Sequence, residues 1–183
     1  MQARPLDLGG VFEISPRKFG DDRGFFSETY NAKSFAEAGI DLNFVQDNHS
    51  YSAAKGVVRG LHYQLPPFAQ DKLVRVARGA ILDIAVDIRK SSPTFGMWVS
   101  LEVSAEKWNQ ILVPKGFAHG FMTLVENTEV FYKVTNYYSP EHDRSIRFDD
   151  PVIGIDWPIA SSGVQLSDKD QKAPLFADAE VFS

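Results

Sequence analysis

Alternating apolar and polar residues are the most regular feature of the chain. In the segment AILDIAVDIRK the apolar positions are Leu82, Ile84, Val86 and Ile88, and the acidic positions are Asp83 and Asp87. Successive side chains of a β-strand point to opposite faces. The segment is therefore predicted to form one strand with an apolar face and an acidic face.

Further short segments have the composition of strands. They are MWVSLEV, NQILVP, GFMTLV and EVFYKVTNYY, separated by Gly, Pro, Asn or Ser. Many short strands at regular spacing are typical of an all-β sandwich or barrel. Helical patterns are too few for a parallel α/β sheet, and no repeat or linker interrupts the chain. One all-β domain over residues 1–183 is the expectation.

Two short helices are predicted from their capping residues. The first lies in NAKSFAEAGI, where Asn31 is the expected N-cap and Gly39 the expected stop. The second lies in LSDKDQKAP, where Ser167 and Asp170 have the spacing of a capping box before Pro174.

The segment VVRGLHYQ, residues 57–64, is predicted to be a strand although it contains Arg59 and His62. Residues three apart on a regular strand point to opposite faces. Gly60 lies between them and permits a bulge or local twist that would turn both side chains into one cavity. We therefore expect an irregularity at Gly60. The alternative is that Arg59 serves a site composed partly of a second subunit.

Composition narrows the classes of function. Of 183 residues, 44% are hydrophobic and 13% aromatic, as in a folded domain; the net charge is −5 and the pI about 5.3. No basic tract is present, so we expect no binding to nucleic acid or anionic membranes. The absence of cysteine excludes disulfides, thiolate nucleophiles and cysteine metal sites. No apolar run has the length of a membrane span or the pattern of a signal peptide, so a cytoplasmic protein is expected.

Histidines give the first indication of chemistry. A single histidine in an apolar strand is usually a core residue, but His62, two residues after Gly60, and His119, directly before Gly120, lie on separate predicted strands. GVVRGLH and PKGFAH resemble the two short motifs of the cupins, small antiparallel β-barrels of jelly-roll form. In metal-binding cupins the first motif continues as His-x-His and supplies a Glu, and the second adds a His.

The metal ligands of those cupins are incomplete in this chain. Gln64 stands two residues after His62, and LPPFAQ has no Glu, so His62 and His119 are the two ligand positions that remain. Catalytic zinc or non-haem iron requires about three protein ligands. We therefore expect a cupin that uses no metal.

A closer resemblance covers the chain from about Phe12 to Pro174. The segments that carry it, in order, are FGDDRGFFSETYN, FVQDNHS, VVRGLHYQ, KLVRVARGAILDIAVDIRKSSPTFG, PKGFAHGF, YKVTNYYSP, IGIDWP and LSDKDQKAP. They are similar to the dTDP-4-dehydrorhamnose 3,5-epimerases. The resemblance implies a cupin-type jelly roll, a homodimer, and inversion of C3 and C5 of dTDP-4-dehydro-6-deoxyglucose without a cofactor.

The resemblance also implies catalytic roles. His62 occupies the position of the base, whose ordinary pKa near 6.5 suits proton abstraction at neutral pH. Asp170 would orient the His62 ring, and Tyr132 would be the acid on the opposite face. Lys72 would lie beside the keto oxygen and stabilise the developing oxyanion. Local alternatives remain: Asp168 for the carboxylate, and Tyr137 or Tyr138 for the phenol.

The same resemblance implies a substrate-binding set. Arg59, Arg23 and Lys169 would hold the diphosphate, which suits guanidinium and ammonium groups. Asp143 stands where the family is expected to have a Glu, whose side chain is longer by one methylene. Phe26 and Tyr138 are candidates for contact with thymine. The whole set is Arg23, Glu28, Gln46, Asp47, Asn48, Arg59, Lys72, His119, Tyr138, Asp143 and Lys169.

Three other functions fit parts of the pattern. The first is an epimerase that inverts one centre or accepts a related 4-keto sugar nucleotide. The second is a non-catalytic cupin that binds a sugar nucleotide, although a binder has no use for a base and acid pair. The third is a metal-dependent cupin oxygenase, against which the missing ligands argue.

Overall fold

The computed structural model describes residues 1–159 and 163–183. Strands dominate the described residues, with two short α-helices and a 3₁₀ turn at Phe176–Asp178. The strands are β1 (Gln2–Pro5), β2 (Phe12–Ser15), β3 (Lys18–Asp21), β4 (Gly24–Ser27), β5 (Gln46–Ser52), β6 (Val58–Gln64), β7 (Lys72–Arg78), β8 (Ala80–Asp87), β9 (Trp98–Ser104), β10 (Gln110–Val113), β11 (Phe117–Thr123), β12 (Thr128–Val134) and β13 (Asp143–Ser145). The helices are α1 (Ala32–Glu37) and α2 (Asp168–Gln171). The all-β prediction is confirmed.

The strands form two large antiparallel sheets and one hairpin. The first sheet has the order β1-β2-β10-β7-β12-β5, and the second has the order β13-β6-β11-β8-β9. Among the described residues, strands β3 and β4 pair only with each other and form a hairpin outside both sheets. Neighbours in each sheet are mostly distant in sequence, as in Greek-key and jelly-roll connections.

Apolar side chains from both sheets meet in the main core. Val74 and Ile111 come from the six-stranded sheet, and Ile81, Val103 and Phe121 come from the five-stranded sheet. Each is nearly or completely buried. Burial of such a side chain stabilises the fold by roughly 1.5–3 kcal/mol relative to exposure to water, so this contact is the main force that holds the two sheets together.

Strand β8 alternates as predicted, but both of its faces are buried. Ile84 and Val86 pack on the outside of the five-stranded sheet against Trp157 and the C-terminal segment. Asp83 shares its parity with Ile81 and so points between the sheets, where its side chain is 0% exposed. The acidic face of β8 is therefore an interior face.

Both helices begin and end where their caps predict. Asn31 Oδ1 accepts a hydrogen bond from Ser34 N at 3.2 Å, and Gly39 follows α1 with a φ of +81°. Ser167 Oγ accepts from Asp170 N at 3.2 Å and caps α2. Within the residues that the structure describes, no helix is long and apolar enough to cross a membrane.

Strand β6 has the irregularity predicted at Gly60. Its pairing with β11 joins His62 to His119 but Arg59 to Phe121, so β6 contains one extra residue between these pairs. Gly60 has a φ of +140°, which side chains strongly disfavour. The extra residue shifts the alternation of side chains along β6 by one position. Arg59 and His62 therefore line the same cavity.

Gly60→Ala should destabilise the protein by about 2–4 kcal/mol. A Cβ atom at Gly60 would lie 2.5 Å from Gly120 Cα, in addition to the cost of the positive φ. Gly24→Ala is the matched control, because Gly24 has a φ of +132° but open space around it. Urea unfolding measures both variants, and equal losses would contradict the importance of the contact between Gly60 and Gly120.

Candidate active site

A cavity of about 520 Å³ opens between the two sheets. Strands β5, β7 and β12 of one sheet, β6 and β11 of the other, and the segment that leads into α2 form its wall. Six residues predicted from the sequence line it: Arg59, His62, Lys72, His119, Tyr132 and Asp170. The fold thus brings together all four predicted catalytic residues from four separate elements.

His62 and Asp170 form a hydrogen-bonded pair in this cavity. His62 Nε2 donates to Asp170 Oδ1 at 2.5 Å; the His62 side chain is 31% exposed, and Asp170 is buried in α2. Burial alone would raise the pKa of Asp170, but hydrogen bonds from His62, Ser167 and Gly60 and the charge of His62 hold it below its usual value. The ionised carboxylate accepts from Nε2, so the neutral His62 ring has its lone pair on Nδ1. Asp168, the alternative carboxylate, is exposed.

Lys72 lies at the start of β7, is partly buried and lines the cavity. Its Nζ donates to the backbone oxygen of His62 at 3.1 Å. Burial lowers the pKa of Lys72 to about 8, although the charges of Asp83 and Asp143 oppose the shift. The Lys72 ammonium group is thus held beside His62.

His119 forms a second histidine–aspartate pair, with Asp83. Both Asp83 oxygens accept from His119 Nε2, at 3.0 and 2.9 Å. Burial raises the pKa of Asp83, against the attraction of His119 and Lys72. Asp83 is not among the predicted site residues, although it interrupts the apolar residues in the middle of β8. That interruption was the available signal, because a charge on a strand buried on both faces needs a partner.

Tyr132 enters the cavity from the wall opposite His62. It lies on β12 in the six-stranded sheet, whereas His62 lies on β6 in the five-stranded sheet. Burial raises the pKa of Tyr132; the Arg59 charge lowers it and the Asp143 charge raises it. The phenol therefore stays protonated well above neutral pH. A bound molecule between the sheets would meet an imidazole on one side and a phenol on the other.

Arg59 lies at the exposed edge of the cavity. Its Nε donates to Ser52 Oγ at 3.3 Å, and its Nη2 donates to Tyr51 O at 3.0 Å. These bonds hold the guanidinium group against β5, where an anionic group entering the cavity would pass it.

Five predicted substrate-binding residues form a connected group outside the cavity lining. Gln46 Nε2 donates to Asn48 Oδ1 at 2.8 Å, and Gln46 Oε1 accepts from Tyr138 N at 3.2 Å. The Tyr138 phenol donates to Asp143 Oδ2 at 3.2 Å, and Lys169 forms an ion pair with Asp143. Despite its shorter side chain, Asp143 reaches both of these neighbours. Tyr137 is exposed and not part of the cavity lining.

Three predicted substrate-binding residues lie away from the cavity of this chain. Asp47 alternates with Gln46 and Asn48 and therefore faces the outside of the sheet, where Lys133 Nζ contacts it at 3.1 Å. Arg23 lies in the turn between β3 and β4, highly exposed and bound to Asp21, and Glu28 is exposed just after that hairpin.

In the described ranges, no group of three or more His, Cys, Asp or Glu residues could hold a metal ion.

Comparisons with known proteins agree with this geometry. The family model of dTDP-4-dehydrorhamnose 3,5-epimerase matches residues 5–178. A relative of that name from Sinorhizobium fredii is 54% identical over 181 residues, which are 99% of this chain and 92% of the relative.

Solved structures support the same assignment. The enzyme of that name from Bacillus anthracis, with TDP and PPi bound, has a TM-score of 0.92 and 50% identity, covering 95% of this chain and 98% of that one. A dTDP-6-deoxy-D-glucose-3,5-epimerase from Legionella pneumophila, in complex with dTDP-4-keto-L-rhamnose, has a TM-score of 0.91 and 47% identity, covering 96% and 93%. The predicted jelly-roll fold is confirmed, and the chain belongs to the dTDP-4-dehydrorhamnose 3,5-epimerase family.

Proposed function

We propose that the protein inverts C3 and C5 of dTDP-4-dehydro-6-deoxyglucose and produces dTDP-4-dehydro-L-rhamnose. The observation that carries the proposal is the cavity with the His62–Asp170 pair on one wall and Tyr132 on the other. The names of the relatives and the dTDP-4-keto-L-rhamnose bound to the Legionella enzyme support the choice of substrate. The proposed reaction requires no metal or other cofactor.

The reaction begins with removal of a proton next to the keto group. His62 Nδ1 takes the proton from C3 or C5, and the electron pair of the broken C–H bond forms an enolate with C4 and its oxygen. Asp170 stabilises the resulting imidazolium. Lys72 donates to the enolate oxygen and offsets its charge, which has its largest effect in a cavity with little water.

Inversion requires that the new proton comes from the other face. The Tyr132 phenol donates to the enolate carbon from the opposite wall, which forms a C–H bond of inverted configuration. Tyr132 is then a phenolate and His62 an imidazolium, and net proton transfer through solvent restores both before the second centre reacts. His119, held by Asp83, contacts the sugar beside Lys72.

The diphosphate would lie at the edge of the cavity. Arg59 is held there by β5, and Lys169 lies on the first turn of α2 beside Asp143. Tyr138, exposed and bonded to Asp143, would contact the thymine base.

The proposed assembly is a cytoplasmic homodimer. The β3–β4 hairpin lies outside both sheets and exposes Phe19, Phe25 and Phe26. It also carries Arg23 away from the cavity of its own chain, with Glu28 just beyond it. A second subunit that binds this hairpin would cover its apolar rings and receive both charged residues.

The test is NMR of dTDP-4-dehydro-6-deoxyglucose incubated with the protein and a chelator in deuterated buffer. Deuterium should enter C3 and C5 with inversion at both. Label at C3 alone would indicate a single-centre epimerase, and no label despite dTDP binding would indicate a binding protein.

His62→Ala should abolish exchange, whereas Tyr132→Phe should retain part of the exchange and lose inversion. Equal loss of exchange in both variants would contradict the assigned faces.

Asp170→Asn should reduce kcat by about 10²–10⁴-fold, because a neutral amide neither orients the His62 ring correctly nor stabilises its charge. The affinity for dTDP, measured by calorimetry, should change little. Asp168→Asn is the control, since Asp168 lies two residues away and is exposed; its kcat should stay within about twofold of wild type. A loss below about tenfold in Asp170→Asn would contradict the role of the pair.

Activity should fall as the pH rises through about 8, the pKa of Lys72. Below this pH Lys72 is a cation beside the enolate oxygen, and above it the neutral amine stabilises that oxygen poorly. The pKa of Tyr132 lies above its ordinary value, so its ionisation does not account for the fall. A pH profile of kcat/KM measures the effect. Lys72→Arg should keep its charge and remove this limb from its residual activity, and an unchanged limb would contradict the assignment.

A further inference from the structure

The side chain of Gln64 forms hydrogen bonds with a loop, and the proposed mechanism gives Gln64 no role. Its side chain is 4% exposed and lies on β6, two residues after His62. Its Nε2 donates to Phe68 O at 2.7 Å and to Tyr137 O at 3.1 Å, and its Oε1 accepts from Ser139 N at 2.8 Å. Both amide donors and the acceptor are therefore bonded to backbone of two connecting segments.

The loop that Gln64 contacts has no strand pairing of its own. Residues 137–139 lie between β12 and β13, and four of their backbone groups are bonded to side-chain amides. Gln64 binds Tyr137 O and Ser139 N, Gln46 Oε1 accepts from Tyr138 N, and Asn136 Oδ1 accepts from Tyr137 N at 2.9 Å. The backbone on each side of Tyr138 is thus fixed although its ring is 58% exposed.

Gln64 is also linked to the charged pair beside Tyr138. Asp143 lies directly opposite Gln64 in the pairing of β13 with β6. The Asp143 carboxylate accepts from the Tyr138 phenol and forms the ion pair with Lys169. The Gln64 amide therefore contacts the backbone on each side of Tyr138, and the Tyr138 phenol in turn contacts the Asp143–Lys169 pair.

We propose that Gln64 is a positioning residue for substrate binding: it fixes Tyr138, and through the Tyr138 phenol the Asp143–Lys169 pair, in the arrangement that receives the nucleotide. This inference rests on the proposed function, because those residues matter only if a nucleotide sugar binds there. Fixing the loop before binding removes the entropy cost of ordering it with the ligand. Gln64 acts on binding, and the proton transfers at His62 and Tyr132 do not depend on it.

The test compares Gln64→Met with wild type. Methionine has a similar volume but makes none of the three hydrogen bonds. The Kd of dTDP, measured by calorimetry, and the KM of the sugar nucleotide should both rise about tenfold or more. The kcat at saturating substrate should stay within about threefold, because the base and acid are untouched. Unchanged dTDP affinity in the variant would overturn the proposal.

Asn109→Leu is the matched control for a merely structural role. Asn109 is also 4% exposed and makes three amide hydrogen bonds: to Glu13 at 2.8 Å, to Glu102 O at 2.9 Å and from Ser104 N at 3.2 Å. It lies outside the cavity and the 137–139 loop. Both variants should lower Tm, but the dTDP affinity of Asn109→Leu should stay within about twofold. Equal effects on Kd in both would show that Gln64 acts only through stability.

Two further variants keep the test decisive. If Gln64→Met does not fold, Gln64→Asn keeps a polar amide and shortens it by one methylene, with the same expected loss of dTDP affinity. In a Tyr138→Ala background, Gln64→Met should weaken dTDP binding by less than about threefold, because the residue it positions is gone. Full additivity would overturn the proposal. Failure of the wild-type protein to bind dTDP would instead contradict the proposed function.

Discussion

The close approach of Gly60 on β6 to Gly120 on β11 is the contact on which the arrangement of the site depends. A Cβ atom at Gly60 would lie 2.5 Å from Gly120 Cα, and one at Gly120 would lie 3.0 Å from Arg59 O. This approach allows the extra residue in β6 that brings Arg59 and His62 to the same cavity. The Gly60 backbone also donates to Asp170 and helps to keep that carboxylate ionised. The position of the Gly60 backbone therefore affects both the bulge in β6 and the ionisation of Asp170.

The site places several ionisable groups where the fold alone would favour apolar ones. Asp83 and Lys72 lie between the sheets, and their pKa values shift toward the neutral forms because burial penalises charge. The cost of burying these charges is offset by their stronger interaction with a charge that develops on the substrate. Two unit charges 4 Å apart interact by about 1 kcal/mol in water but by about 4 kcal/mol at an effective dielectric constant near 20. A cation in this wall thus stabilises an enolate far better than a solvated lysine would.

Local patterns predicted the elements, and the site depended on contacts between elements. Caps such as Ser167, the alternation of β8 and the irregularity at Gly60 all follow from neighbouring residues, and the structure has them. The local pattern predicts Asp170 only as an acid at the start of a helix. The family resemblance alone predicts it as the partner of His62. In the structure Asp170 N donates to the Ser167 cap and the Asp170 carboxylate accepts from His62, because the N-terminal turn of α2 faces the cavity.

Other placements could not be predicted because period-2 patterns do not say which face is interior. Asp83 was assigned to a strand face without chemistry, yet that face points between the sheets and binds His119. Asp47 was grouped with its neighbours Gln46 and Asn48 although alternation places it on the outside. The position of Arg23 depends on a hairpin that pairs with neither sheet. No local signal in the sequence fixes the direction of such a hairpin.

Gln64 illustrates how one position in a shared barrel can serve different chemistry. Metal-binding cupins are expected to have a second histidine here, directed at an ion beside the first. In this chain the residue is a neutral amide whose donors and acceptor are bonded to backbone, so it adds no charge next to His62. A histidine or carboxylate at this position would introduce a titratable group next to the base; an ionised carboxylate would lose both contacts to carbonyl oxygens, and a neutral histidine at least one. A base that must gain and release a proton in every turnover is better served by a neighbour that holds the loop and carries no proton of its own.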